Sequence, residues 1–261
     1  MSICLGQVSS MSKRKVLFLL EGDKAERKIL TIIKKYYPDV LADFYVVGSN
    51  LFDLDNHMKN TLGEDWLTED SSIISTLVHM VSLSGVMRDT KIDVDSFTDV
   101  FLIFDYEISG TSFSASRLMQ MQKVFSDSTK NGLLLLSYPM VEAYRHLKSI
   151  PDDDYLYRAY DPAQEEHYKT VVGRETGFAN LNKYDKVLID YIFTVNKQKL
   201  EYYVSDSCSH LSDKLYEFLK CQCYRSDVLI EFTMILFLDL YNIDFQLNDH
   251  SIKSEPTSLF S

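Results

Sequence analysis

The sequence lacks the features that mark membrane, secreted and disulfide-stabilised proteins. None of its apolar runs reaches the roughly 18 residues of a membrane-spanning helix, and its N-terminus has no signal-peptide core. It has only four cysteines in 261 residues, and Cys221 and Cys223 have neither a CxxC spacing nor a second ligand pair. We therefore expect a soluble cytoplasmic protein without membrane contacts, with reduced thiols and without a zinc site.

Familiar catalytic motifs are also missing. The chain contains no P-loop, no GxGxxG fingerprint and no pattern typical of Ser-His-Asp or Cys-His catalysis. A phosphatase of the haloacid-dehalogenase type would need Asp-x-Asp directly after its first strand, and this chain has Glu21 and Gly22 there. The six histidines show no metal-ligand spacing, and we interpret His146 as a packing or solvent-facing residue.

Positive charge is in short supply. The chain has 27 Lys and Arg against 38 Asp and Glu, which gives a net charge of −11. Proteins that bind nucleic acid without sequence preference gain affinity by neutralising phosphates, so this balance argues against a free-standing binder of that kind. An acidic enzyme that acts on nucleic acid would need a local basic groove, a divalent metal ion or a basic partner.

The chain does contain a strand-turn-helix pattern near its start. Residues 16–20 form an apolar run without polar alternation, which is typical of a parallel strand covered on both faces. Apolar side chains at positions 29, 32, 33 and 36 then follow with helical spacing. Because ligands of parallel sheets collect at the carboxyl ends of the strands, Glu21 stands where a site would form.

The turn between this strand and helix carries several polar residues. Gly22 predicts a sharp backbone turn, and Asp23 with Glu26 three residues later predicts a helix N-cap with a capping box. Glu26 can therefore be a cap or a catalytic carboxylate, and both interpretations stay open. Lys24 and Arg27 can contact phosphate, although a solvated helix face is the simpler explanation for each.

Three further strands are predicted over residues 44–48, 99–104 and 132–136, with helical patterns at 71–87, 115–125 and 140–147 between and after them. This alternation predicts an α/β fold with a parallel sheet and right-handed crossovers. The strand at 99–104 would deliver Asp105 and Glu107 to the same edge as Glu21, and Glu142 follows the strand at 132–136. Acidic residues thus recur at successive strand ends.

Beyond residue 150 the pattern becomes mainly helical. We expect a flexible leader at 1–12, an α/β core at 13–150, a helical extension and interaction region at 151–253, and a tail at 254–261. We interpret the acidic triplet at 152–154 as a solvated turn, since consecutive side chains point in different directions. The run at 232–240 is apolar on nearly every face, so the core or another chain must bury it.

The acidic strand ends resemble a known signature. Glu21 with Gly22 after the first strand, and Asp105 with Glu107 after a later one, resemble the Toprim domain of topoisomerases, primases and OLD-family nucleases. Glu107 stands where the family has Asp, which keeps the charge but lengthens the side chain. Ser137, Pro139 and Glu142 resemble a further element of the compact RloB-like proteins and of the Toprim effector of the PARIS anti-phage system.

This resemblance implies a Toprim-like parallel sheet flanked by helices, with a C-terminal helical extension. It implies a cytoplasmic nuclease that cleaves DNA or RNA, tRNA included, and that serves in antiviral defence under the control of an ABC-type ATPase partner; a homodimer is also compatible. Mg²⁺ or Mn²⁺ would be held by Glu21, Asp105 and Glu107, because hard cations prefer carboxylate oxygens. The implied catalytic residues are Glu21, Glu26, Asp105, Glu107 and Glu142, with phosphate contacts from Lys24 and Arg27.

A second interpretation of the same residues is a catalytically silent Toprim-like module that binds a protein or nucleotide partner in a regulatory role. The replacement of Asp by Glu107 and the low isoelectric point favour this module. The retention of an acid at every position of the signature favours the nuclease.

Overall fold

A computed structural model of the chain describes residues 14–22, 24–38, 41–67, 74, 77, 93–106, 114–163 and 167–241. The predicted leader and tail, Asp23, Glu107 and nearly all of the helical pattern at 71–87 lie outside these residues.

Helices and strands alternate along the chain. The strands are β1 (Lys15–Leu20), β2 (Leu41–Val46), β3 (Asp99–Asp105), β4 (Ser126–Asp127), β5 (Gly132–Tyr138), β6 (Ala159–Tyr160), β7 (Val228–Leu229) and β8 (Glu231–Phe232). The α-helices, numbered along the described residues, are α1 (Ala25–Tyr36), α2 (Leu51–Leu62), α3 (Ala115–Val124), α4 (Tyr168–Glu175), α5 (Lys186–Tyr203) and α6 (Leu211–Cys223). Short 3₁₀ helices include Val141–Arg145, Leu181–Lys183 and Thr233–Tyr241.

The main sheet has the strand order β2-β1-β3-β5-β4, and β8 also pairs with β5. The pairs β2-β1, β1-β3 and β3-β5 are parallel, whereas β4 and β8 run antiparallel to β5. The predicted α/β class is therefore confirmed, with a sheet that is parallel at its centre and mixed beyond β5. Side chains along β1, β3 and β5 are almost entirely buried, which explains why these strands read as continuous apolar runs.

Two of the predicted elements differ in the structure. The helix predicted at 140–147 is a short 3₁₀ helix, Val141–Arg145, whose first N–H group bonds to a side chain of β3. Residues 228–232 form two short strands instead of continuing a helix, because β7 pairs with β6 and β8 pairs with the end of β5. Two-residue strands of this kind leave no periodic pattern in a sequence.

The apolar run near the C-terminus is buried by the chain's own core. Thr233–Tyr241 forms a 3₁₀ helix, and its Phe237 ring packs against Phe18 of β1 and Phe101 of β3 at centroid distances of 5.0 and 5.8 Å. One continuous cluster of apolar side chains joins the predicted core to the predicted extension. The apolar character of this run therefore requires no partner chain, and an interaction region remains a prediction.

The solvated-turn interpretation of residues 152–154 is wrong for Asp152. Its side chain is buried and accepts hydrogen bonds from the Arg158 guanidinium at 2.7 and 2.8 Å and from the Lys148 N–H at 2.7 Å. This partnership lowers the pKa of Asp152 against the opposing effect of burial. Asp153 and Asp154 are exposed, as expected of a turn. No helix among the described residues is long and apolar enough to cross a membrane.

Candidate active site

The carboxyl ends of β1 and β3 bring Glu21 and Asp105 together. The Glu21 N–H donates to the Ile103 carbonyl at 3.0 Å, which extends the pairing of the two strands by one residue. The Asp105 N–H in turn donates to Glu21 Oε2 at 2.9 Å. The sequence places both residues at one edge of the sheet, and the structure joins them there by a direct hydrogen bond.

Asp105 is held from a second side by the segment after β5. Its Oδ1 accepts a hydrogen bond from the Val141 N–H at 2.7 Å, at the start of the 3₁₀ helix Val141–Arg145. Burial raises the pKa of Asp105 well above its usual value, and the negative charges of Glu21, Glu26 and Glu142 raise it further, against the opposing Val141 hydrogen bond. Four predicted site residues therefore share one electrostatic environment.

Glu26 is buried at the first turn of α1, where it holds the strand-helix turn. Its Oε1 accepts a hydrogen bond from the Gly22 N–H at 3.2 Å. The helix cap falls on Lys24, which makes no side-chain cap hydrogen bond, and Asp23 lies outside the described residues. Glu26 thus performs a structural task similar to that of a capping-box glutamate, and a catalytic role for it remains a prediction.

The structure gives Gly22 a different role from the one predicted. Its backbone is not in the left-handed region, so a sharp turn does not require glycine there. A Cβ atom at this position would instead lie 3.1 and 3.2 Å from the two carboxylate oxygens of Glu26. Glycine leaves room for the buried carboxylate, which a Cβ atom would force to shift by a few tenths of an ångström.

Glu142 has a cationic partner that the sequence did not indicate. Lys169, on α4, places its Nζ 3.3 Å from Glu142 Oε1. Glu142 Oε2 is buried and has no hydrogen-bond partner within the described structure. Lys169 reaches this edge only because α4 packs beside the 3₁₀ helix that carries Glu142, and no local spacing links the two residues.

His146 is a packing residue, as predicted. Its ring is buried between Tyr168, whose hydroxyl lies 3.1 Å from Nδ1, and Glu175, whose carboxylate lies 3.3 Å from Nε2. Burial lowers the pKa of His146 to about 4, although Glu175 acts in the opposite direction. The imidazole is therefore neutral at physiological pH and does not add positive charge.

Comparisons of the chain with protein-family models, curated proteins and solved structures found no match. The chemistry of the site therefore has to be argued from its own side chains.

The donors at this edge suit a hard divalent cation. Asp105 sits among like charges that raise its pKa, and Glu142 Oε2 is a buried oxygen atom without a partner. A divalent cation held by such carboxylates would offset their negative charge, because Mg²⁺ and Mn²⁺ bind carboxylate oxygens. Within the described ranges, which exclude the third predicted ligand Glu107, no three His, Cys, Asp or Glu side chains form a group that could hold a metal ion.

Proposed function

We propose that this chain is a metal-dependent nuclease of the Toprim type, which hydrolyses phosphodiester bonds of DNA or RNA. One observation carries the proposal: at the carboxyl ends of adjacent parallel strands, the backbone N–H of Asp105 donates a hydrogen bond to the Glu21 carboxylate. Ligands of such sheets collect at this edge, and carboxylates gathered there are the usual means of holding a divalent ion against a phosphate.

The electrostatics explain why a cation is required. Burial first, and then the negative charges of Glu21, Glu26 and Glu142, raise the pKa of Asp105, and the same charges would repel a phosphodiester. A bound divalent cation would neutralise this charge, polarise the phosphate and lower the pKa of an attacking water molecule. Glu21 and Asp105 are the residues placed to hold it, together with Glu107 as the third predicted ligand.

The remaining side chains have supporting tasks in this proposal. Glu26 fixes the turn that follows Glu21 through the Gly22 N–H group. A carboxylate at this edge can also act as the general base that accepts a proton from the attacking water. Lys169 offers a cation beside Glu142 that can contact a phosphate oxygen of the substrate.

The biological setting follows from the resemblance alone. We propose a cytoplasmic anti-phage effector whose activity an ABC-type ATPase partner controls, with tRNA among its candidate substrates and a homodimer as a candidate assembly. A gene for such an ATPase directly beside the gene for this chain would support this setting, and an isolated gene would argue against it.

The second candidate function is the catalytically silent binding module. It is favoured by the fact that two acids already have partners within the chain, Glu26 at the Gly22 N–H and Glu142 at Lys169. A silent module would keep these contacts and would show no metal-dependent chemistry.

Cleavage assays decide between the two functions. Purified protein, free of any inhibitory partner, is incubated with labelled single-stranded DNA, duplex DNA and structured RNA in Mg²⁺, in Mn²⁺ or in chelator. The nuclease proposal expects cleavage only with a divalent cation. Cleavage that persists in chelator refutes the metal-dependent mechanism, and a lack of cleavage under all conditions favours the silent module.

A further inference from the structure

A surface cavity beside α1 has a lining that includes three cations. It has a volume of about 780 Å³ and lies between α1 and the segment at residues 179–182. Its polar lining residues are Lys24, Arg27, Lys28, Thr31, Asn180 and Asn182. The described lining thus contains three cations and no acid, in a chain whose net charge is −11.

The cations lie on one face of α1. Lys24, Arg27, Lys28 and Thr31 follow the i, i+3, i+4, i+7 spacing that places side chains on one side of a helix. Lys24 and Lys28 are exposed, and neither ammonium group forms an ion pair in the described part of the chain. They are four positions apart, about 6 Å along the helix axis, so each can meet a different phosphate group of one strand.

The opposite wall of the cavity is held in place. The Tyr36 hydroxyl at the end of α1 donates to the Tyr184 carbonyl at 3.1 Å, which ties the helix to the segment that carries the wall. Within that wall the Asn180 side chain accepts a hydrogen bond from the Asn182 N–H at 3.0 Å. Contacts within the chain therefore shape the cavity, and ligand sites are commonly pre-formed in this way.

The lining combines the groups that an unpaired nucleotide would contact. Cations can meet phosphates, the Asn182 amide can meet a base edge, and Ile32 and Leu181 offer apolar contact to a base or sugar. Base edges are accessible to such groups when a nucleotide is unpaired and splayed out of its stack. A cavity of this volume lies within the range that encloses a small ligand, so it suits one or two nucleotides and not a duplex.

We propose that this cavity, which we call the α1 cavity, binds a single-stranded nucleic-acid segment next to the scissile phosphate. The proposal deepens the nuclease function and rests on it for the position of the scissile bond. Lys24 follows Glu21 by three residues, so the cavity and the acidic edge meet at the N-terminal end of α1. A strand that leaves the acidic edge there can place its neighbouring phosphates against Lys24 and Lys28.

Binding of labelled oligonucleotides to the full chain tests the proposal separately from catalysis. Fluorescence anisotropy is measured in chelator, so that cleavage does not interfere, for one sequence as a single strand and as a duplex. Salt near 0.1 M limits repulsion from distant acids, because the Debye length is then about 10 Å. We expect the single strand to bind more tightly than the duplex.

The test variant replaces Lys24 and Lys28 by Ser, and the control replaces Lys34 and Lys130 by Ser. Both pairs change the net charge equally, but Lys34 lies in the last turn of α1 and Lys130 follows β4, and both are outside the lining residues of the cavity. The test variant should raise the Kd for the single strand at least about 10-fold and lower the slope of log K against log salt by about 1.4. The control should leave both quantities near their wild-type values.

Several results would overturn the proposal: no binding of either oligonucleotide, a duplex bound as tightly as the single strand, or equal effects of the two lysine pairs. Failure of the nuclease function has a different signature. If the protein binds single strands selectively through Lys24 and Lys28 but does not cleave in Mg²⁺ or Mn²⁺, the cavity proposal is supported and the nuclease function is refuted. If the Lys24 and Lys28 variant binds and cleaves like the wild type, the nuclease function is supported and the cavity proposal is refuted.

Discussion

The substitution Glu21→Gln separates the chemistry of the acidic edge from its role in the fold. Glu21 Oε2 accepts the Asp105 N–H at 2.9 Å, and the amide oxygen of Gln can take the same hydrogen bond. Loss of the negative charge weakens this bond by about 1 kcal/mol, since hydrogen bonds to charged groups contribute more than neutral ones. The loss also removes one of the charges that raise the pKa of Asp105. Relief of this repulsion stabilises the folded protein and so opposes the weaker hydrogen bond.

The two effects nearly cancel, so the free energy of unfolding should change by no more than about 1 kcal/mol. For a chain of this size that corresponds to a Tm shift of at most about 4 °C. The rate of metal-dependent cleavage should instead fall about 100-fold or more, because a metal ligand or general base has been lost. Thermal melting and cleavage of labelled DNA and RNA in Mg²⁺ measure the two quantities on one preparation.

Glu21→Ala provides the matched comparison. It removes the same charge but leaves the Asp105 N–H without its acceptor, which costs about 1–3 kcal/mol of stability. Both variants should lose cleavage, and only the Ala variant should melt at a clearly lower temperature. Asp105→Asn should behave like Glu21→Gln, whereas Glu142→Gln should reduce cleavage less if Glu142 is only an anion in the first turn of its helix and takes no part in the chemistry. A folded Glu21→Gln protein with wild-type cleavage would refute the metal-site reasoning.

Two further predictions concern single positions. Gly22→Ala should destabilise the fold by roughly 1 kcal/mol in urea unfolding, because the new Cβ presses against the Glu26 carboxylate. The control is Gly173→Ala, whose new Cβ meets nothing within 4 Å, and it should be neutral or stabilising. The pKa of His146 is about 4 in the folded protein against 6.5 for the free side chain, so the unfolded chain takes up a proton more readily. The free energy of unfolding should therefore fall as the pH drops from 6.5 to about 4, by up to about 3 kcal/mol. In His146→Gln this loss of stability between pH 6.5 and 4 should be reduced, and an unchanged pH slope would contradict the assignment.

The sequence by itself determined the fold class and the edge on which the acids lie. The strands β1, β3 and β5 are buried on both faces, so each appears as an uninterrupted apolar run. Because the helices between them make the strands parallel, the residues after β1 and β3 had to meet at one edge. That rule sufficed to predict the proximity of Glu21 and Asp105 without knowledge of any contact.

Only the tertiary structure decided which groups surround those acids. Val141 reaches Asp105 through a 3₁₀ turn, Lys169 reaches Glu142 from α4, and β8 joins the sheet through two residues. Each of these contacts joins segments that are distant in sequence, and each depends on elements too short to produce a periodic pattern.

For the α1 cavity, too, the sequence indicates only part of the site and the tertiary structure decides the rest. The helical spacing of Lys24 and Lys28 is visible in the sequence, but a solvated helix face has the same spacing. The cavity exists only because the segment at residues 179–182 folds back beside α1, tied there by the hydrogen bond from Tyr36 to Tyr184. Local sequence specifies which side of a helix carries charge, whereas long-range packing determines whether another segment lies beside that side.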